Sequence, residues 1–253
     1  MFRPRVIPCL LLKNKGLVKT EKFKNPVYVG DPINAIKIFN EKYVDELIFL
    51  DISSTTQRHP VQFDIIENIA SECFMPVCYG GGIRSLEVVR RILRIGIEKI
   101  SLSSYAVENP NFIKEVSGEF GSQSIVVCID VKRDSLGRYE VVTHNARIKT
   151  GIDPLKFAIQ MEESGAGELV INSVDRDGTM LGYDIELVKK ITKDVTIPVI
   201  ACGGAGKLED LKSVVVEGGA SSAAAGSLFV FHGKYRAVLI NYPEEQEIST
   251  VFS

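Results

Sequence analysis

Residues 76–82 read Pro-Val-Cys-Tyr-Gly-Gly-Gly, and residues 198–204 read Pro-Val-Ile-Ala-Cys-Gly-Gly. Gly82 and Gly204 stand 122 residues apart, close to half of the 253-residue chain. Each copy is a short apolar run that ends in glycines and leads into an amphipathic stretch. The flanks repeat at the same offset, with Glu46-Leu47-Ile48 answering Glu168-Leu169-Val170 and Gly96 answering Gly218. Solenoid units recur every few tens of residues. This longer period reads as one half-domain duplicated and fused, with halves at about 1–121 and 122–253.

Outward from these stretches, apolar runs alternate with helical periodicity. Strands are expected at Arg5–Lys13, Glu46–Asp51, Val77–Tyr79, Lys99–Leu102, Ser124–Asp130, Glu168–Asn172, Val199–Ala201 and Ser221–Ala225. Pro8 suits a strand end or bulge better than a central ladder position. Helices are expected after Asp31-Pro32, from Pro60, at Ser85–Ile95, after Asn109-Pro110, and at Pro154–Ser164, Asp184–Lys193, Leu208–Glu217 and Phe229–Asn241. Proline at a first helical position supports several of these starts. Lys19–Gly30 reads as a polar loop, and Arg138–Thr143 as the return arm of a hairpin ahead of a second polar loop. Strands apolar along their whole middle suit a parallel sheet covered on both faces. Eight strand–helix units without a Pro/Gly-rich linker predict one α/β domain over 1–253, a closed (β/α)8 TIM barrel of two half-barrels. An open doubly wound sheet is the alternative, but its strand-order switch accounts less well for the repeat.

Composition narrows the function classes. Apolar residues make up 45% and the net charge is −2, so neither a nucleic-acid surface nor a polybasic membrane patch is expected. The run Val6–Leu12 after Met1-Phe2-Arg3-Pro4-Arg5 is too short for a membrane span, and no small-residue cleavage site follows it. Five cysteines, an odd number without metal-clamp spacing, read as buried reduced thiols in a cytoplasmic protein. His59, His144 and His232 stand far apart. No metal and no cofactor is expected.

In such a barrel, function lies on the loops that follow the strands. Gly81-Gly82 and Gly203-Gly204 stand there, each opening toward a helix N-terminus that favours phosphate. Ser103-Ser104 and Gly226-Ser227 end the next strands, and the Gly178 N–H could meet a phosphate too. Tight turns alone would account for one such glycine pair; two pairs at matched places favour a ligand with a phosphate at each end. Asp130 ends the first strand of the second half, whereas the matching position of the first half is Leu11. General acid–base work wants two facing titratable groups. Asp177 is a second catalytic candidate, and Asp51 and Asp175 are further mouth carboxylates. On the opposite face, Arg5, Glu46, Lys99 and Glu168 start strands one, two, four and six. Ordinary structural pairing accounts for their alternating charges, and so does a salt-bridged ring closing the barrel floor.

These residues resemble one family closely, the cyclase subunit of imidazole glycerol phosphate synthase from histidine biosynthesis. The resemblance runs from about Arg5 to Phe231 and is carried by Asp45-Glu46-Leu47-Ile48-Phe49-Leu50-Asp51-Ile52, Gly80-Gly81-Gly82-Ile83, Ala106-Val107-Glu108-Asn109-Pro110, Phe120-Gly121-Ser122-Gln123, Asp175-Arg176-Asp177-Gly178-Thr179 and Gly203-Gly204-Ala205-Gly206-Lys207. It implies a bisphosphate-like nucleotide bound across the mouth, and ammonia arriving through the barrel from a glutaminase docked on the floor. It makes Arg5, Glu46, Lys99 and Glu168 the ammonia gate and places Gln123 near the glutaminase. The family's two catalytic aspartates fall at Leu11 and Asp130, a phosphate-holding asparagine at Ser103, a threonine at Asn172, and mouth hydroxyl residues at Cys78 and Cys202. Loss of one acid–base group costs about 10²–10⁴ in rate, so cyclisation is expected to be impaired. The pattern resembles divergent paralogues found with surface-polysaccharide genes, which implies ammonia supplied toward a phosphorylated or nucleotide-sugar acceptor. A working histidine-pathway cyclase, with Asp51, Asp177 or a water covering for Leu11, is the alternative. A non-catalytic conduit serving a separate amidotransferase is another. An isomerase of the sister barrel family fits less well, since that chemistry also wants both carboxylates.

Overall fold

The apolar runs become eight parallel strands: β1 (Arg5–Lys13), β2 (Leu47–Asp51), β3 (Val77–Gly80), β4 (Lys99–Leu102), β5 (Ile125–Arg133), β6 (Glu168–Ser173), β7 (Val199–Cys202) and β8 (Ser222–Ala225). Each pairs with the next, and β8 returns to β1 with Arg5 opposite Ser222 and Pro8 opposite Ala225. The sheet is therefore a closed (β/α)8 barrel. It is seen in a computed structural model that describes residues 3–57 and 59–253; Met1 and Phe2 of the N-terminal stretch read above, and Arg58, lie outside the described residues. Pro8 sits inside β1 without breaking it. The β8 ladder ends at Pro8 and the β2 ladder begins at Cys9, so the missing N–H falls where one partner hands over to the other.

Among the described residues, eight helices of eight residues or more cover the barrel: α1 (Pro32–Glu41), α2 (Phe63–Glu72), α3 (Leu86–Ile95), α4 (Asn111–Phe120), α5 (Pro154–Glu163), α6 (Ile185–Thr192), α7 (Leu208–Val216) and α8 (Glu245–Phe252). Their starts follow local chemistry. Asp31 accepts from the Ile33 and Asn34 N–H groups ahead of Pro32, and Asp153 accepts from Leu155 and Lys156 ahead of Pro154. Each is an N-cap followed by proline at the first helical position. Between sheet and helices lies one apolar layer, and a second, smaller cluster fills the barrel itself, with Ile7, Ile48, Val126, Val170 and Ile200 at 0–4% exposure. Among the described residues, no helix is long and apolar enough to cross a membrane.

Four expectations fail locally. Lys19–Gly30 is not a loop: Gly16–Glu21 and Lys24–Gly30 form an antiparallel hairpin on the end of β1. It puts Asn14, Lys15, Lys22, Phe23 and Asn25 at positive φ, and Lys15, Lys22 and Phe23 are not residues that advertise such a turn. The second helix starts at Phe63 rather than Pro60. Asn109 ends a short helix, Ser104–Glu108, and Pro110 takes the cap position of α4. Phe229–Asn241 is not the last helix; it forms a small antiparallel pair, Phe231–His232 with Ala237–Val238, and the last helix follows Pro243. The expected arm after β5 does pair antiparallel, as Tyr139–Thr143.

Candidate active site

Side chains alternate across a strand, so Arg5, Ile7, Cys9 and Leu11 of β1 all point into the barrel. The same alternation aims Cys128 and Asp130 of β5, Val170 and Asn172 of β6, and Cys202 of β7 inward. Glycine-ended strands then leave an open mouth. Gly81, Gly82, Ser103, Ser104, Asp130, Asp177, Gly178, Gly203, Gly204, Gly226 and Ser227 line one cavity there, together with Leu11. Eleven residues chosen from separate stretches of sequence thus meet at one end of the barrel.

Asp130 is a half-buried carboxylate of this cavity. Asn172 Nδ2 donates to its Oδ1 at 2.9 Å, Ser103 Oγ donates to its Oδ2 at 3.2 Å, and Cys128 Sγ lies 3.9 Å from Oδ1. Burial pushes its pKa up to about 6, with the donations from Asn172 and Ser103 opposing. A carboxyl titrating there is ionised but weakly committed near neutral pH, which suits a general base. Asn172 is itself buried, and its Oδ1 has no partner among the described residues. Leu11 stands on β1, four strands round the ring from β5, and offers no titratable group.

The other carboxylates of the mouth are engaged. Asp177 Oδ2 accepts from Thr20 Oγ1 at 2.9 Å and from the Phe23 N–H at 3.3 Å, and the Asp177 carbonyl accepts from the Lys22 N–H. This pins the hairpin across the mouth. Burial raises the Asp177 pKa, with Lys19 opposing most strongly. Asp51 accepts from the N–H groups of Ser53 and Ser54 and from both hydroxyls. Asp175, expected at the mouth, does not line this cavity and accepts from the Arg133 N–H. Asp130 takes its donors from the barrel, Asn172 on β6 and Ser103 after β4, whereas the Asp177 carboxylate is held by Thr20 and Phe23 of the hairpin.

The glycines serve two purposes. A side chain at Gly81 would lie 2.5 Å from the Asp51 carbonyl, and one at Gly204 2.2 Å from the Gly182 carbonyl, so the turns themselves demand glycine. The N–H groups of Gly82, Gly178 and Gly204 find no acceptor among the described residues, which leaves them free for an anion. Ser103 and Ser104 are partly committed, the first to Asp130 and the second to accepting from the His144 N–H.

Sequence reading missed Lys19 and Thr20. Lys19 is buried, donates from Nζ to the Cys9 carbonyl at 2.8 Å and reaches the Gly226 turn, where a side chain would lie 1.7 Å from its Nζ. It brings an ammonium to the Gly226-Ser227 turn. The six-residue run Gly16–Glu21 between two turns was the available signal.

At the other end, Arg5, Glu46, Lys99 and Glu168 close a ring. Arg5 pairs with Glu46 at 2.5 Å and with Glu168; Lys99 pairs with each glutamate at 3.0 Å. Burial alone would lower the Lys99 pKa, but the two glutamates outweigh it and the pKa is raised. Gln123 is exposed at the foot of β5, with Nε2 donating to the Phe120 carbonyl at 3.2 Å. Among the described residues, no three His, Cys, Asp or Glu side chains group to hold a metal ion, and all five cysteines are free thiols.

Fold and mouth define a (β/α)8 barrel with an open cavity at the C-terminal ends of its strands, where barrels of this kind carry their sites. Comparison with known sequences sharpens the class. Residues 5–236 match the model of the histidine biosynthesis protein family. The chain is 40% identical over 232 residues to the imidazole glycerol phosphate synthase subunit HisF of Alkaliphilus metalliredigens, covering 92% of each chain. It is 50% identical over 248 residues to a Pseudomonas aeruginosa protein provisionally named imidazole glycerol phosphate synthase subunit hisF2, covering 98% of this chain and 99% of the relative. A Leptospira borgpetersenii protein, provisionally named a HisF subunit of the same synthase, is 50% identical over the full length of both. The chain belongs to the family of HisF-type imidazole glycerol phosphate synthase subunits.

Proposed function

We propose that this chain is an ammonia-dependent synthase subunit whose mouth binds a phosphorylated or nucleotide-sugar acceptor and whose histidine-pathway cyclisation is impaired. One observation carries the reading. Asp130 stands at the end of β5 with Asn172 and Ser103 of the barrel as its donors, and Leu11 stands across the ring where a second acid–base group would be needed. Asp51 and Asp177 do not readily cover for Leu11, because Ser53 and Ser54 occupy the first and the hairpin occupies the second.

On this reading the free N–H groups of Gly82, Gly178 and Gly204, with Ser103, Ser104, Gly203, Gly226 and Ser227, hold anionic groups at either side of the mouth. Lys19 adds charge at the second side. Asp130 takes a proton from the attacking nitrogen or from the acceptor, in reach of neutral pH because burial raises its pKa. Asn172 Oδ1 accepts a hydrogen bond from a donor on the bound acceptor. A glutaminase docks on the floor, where Gln123, Tyr43 and Phe74 are exposed around the charged ring. Ammonia passes the ring of Arg5, Glu46, Lys99 and Glu168 and the apolar interior as the neutral molecule, in a cytoplasmic complex. The two half-barrels, about 1–121 and 122–253, would each supply one anion site.

The test is turnover of the histidine-pathway cyclase substrate by the purified chain under saturating ammonium, beside a Leu11→Asp variant. Ammonium replaces a missing glutaminase. The expected outcome is turnover about 10²–10⁴ below a complete acid–base pair, raised by Leu11→Asp. Fast turnover by the unaltered chain, without gain from the variant, would make it a working cyclase and overturn the impairment.

A further inference from the structure

Beneath the hairpin lies a second cavity, of about 410 Å³, within the range of roughly 300–1,000 Å³ usual for small-molecule sites. It is walled by the hairpin on one side and by the ends of β5 and β6 and the loop after β8 on the other. Five cations line it, Lys19, Lys22, Lys24, Lys132 and Arg236, against two carboxylates, Glu21 and Asp175. Both carboxylates are used: Glu21 pairs with Arg236 at 3.2 Å, and Asp175 accepts from the Arg133 N–H at 2.8 Å. Lys22, Lys24 and Lys132 make no ion pair among the described residues.

Arg236 is held rigidly. It donates from Nη2 to the Gly178 carbonyl, pairs through Nη1 with Glu21, and lies 5.1 Å from the centre of the Phe231 ring. Its Nε is buried and has no partner among the described residues. A fixed guanidinium lining the same recess as three unpaired lysines is costly as it stands. Like charges repel, and the guanidinium donor lacks an acceptor.

We infer that this cavity is an anion site for a pyrophosphoryl group, distinct from the mouth. Lysines on the hairpin and on β5 supply point charges, and arginine supplies a fixed directional donor, the pairing used for phosphate. The site spans two bodies, so an occupant ties Lys22 and Lys24 of the hairpin to Lys132 and Arg236 of the barrel. Occupancy therefore holds the hairpin, with Lys19 and Thr20, down over the mouth. Lys22, Lys24, Lys132 and Arg236 play no part in the proposed function, so the two readings fail separately.

The test is calorimetric titration of the full chain with inorganic pyrophosphate at about 50 mM salt, where charge is little screened. Lys24→Glu and Lys132→Glu alter side chains that hold nothing else together, and Lys132→Arg keeps the charge. Each reversal is expected to weaken binding at least about tenfold, with Lys132→Arg close to the unaltered chain. Amide hydrogen exchange over residues 22–27 is expected to slow when pyrophosphate is added. A nucleoside diphosphate titrated alongside distinguishes a free anion from one carried on a larger ligand; binding of either with this lysine dependence supports the site. No binding, or binding equally strong in both reversals and so confined to the mouth glycines, would overturn it.

Discussion

Asp130 should make the protein less stable at neutral pH than a version that cannot ionise there. Its ordinary pKa is 3.8 and its folded value about 6, raised chiefly by burial. The folded chain therefore binds this proton more tightly than the unfolded chain does. Stability from this group is complete below the unfolded value and is lost as pH rises from about 4 through about 6. A difference of about two units, at 1.36 kcal/mol per unit, corresponds to about 3 kcal/mol. Asp130→Asn removes the titration. It also disturbs the donations from Asn172 and Ser103, at a cost of about 1–3 kcal/mol that does not depend on pH. The stability difference between variant and wild type should thus move in favour of the variant by about 3 kcal/mol between about pH 4 and about pH 7. Urea unfolding of both proteins at the two pH values measures this, since every other titration is shared and cancels. A difference that stays flat with pH, or that moves against the variant as pH rises, would mean that the carboxylate is stabilised rather than strained. The assignment of Asp130 as a base poised near neutral pH would then fall.

Two further outcomes test the ring and the hairpin. Lys99→Met leaves Glu46 and Glu168 buried with Arg5 alone between them, and loss of a buried ionic partner should cost about 3–5 kcal/mol in urea unfolding; a loss under about 1 kcal/mol would mean that the ring is effectively solvated. Gly178→Ala puts a side chain 2.1 Å from the Thr20 carbonyl at a φ of +70°, so it should detach the hairpin at a cost of about 1–3 kcal/mol. Faster exchange of the Lys22 and Phe23 amides, with the barrel amides unchanged, is the expected signature, and unchanged exchange at those two amides would show that the hairpin is held elsewhere.

Much of the fold is legible because its signals are local. Alternating apolar runs and capped helices report on the few residues around them, and a strand buried on both faces must be apolar throughout. Asp31-Pro32 and Asp153-Pro154 start helices in any context. The repeated glycine turns are legible for the same reason: a backbone that passes 2.2 Å from where a side chain would begin admits only glycine. The hairpin was not legible, because Lys22 and Phe23 carry no preference for positive φ and adopt it only where the chain is held against Asp177. The last helix was misplaced for a related reason. Phe229–Asn241 has apolar residues enough for a helix, and tertiary contacts turn it back on itself instead.

By itself, the amino-acid sequence determined the number and order of the barrel strands, the turns that require glycine, and the presence of one carboxylate where two would be expected. Tertiary structure alone decided what those residues are worth. Ring closure brings eleven mouth residues into one cavity and joins four charges, from strands one, two, four and six, into a single network. The pKa of Asp130 depends on the water excluded around it, and the roles of Asp51 and Asp177 depend on which donors reach them. Desolvation and pairing are properties of distance between residues far apart in the chain, and no local pattern encodes them.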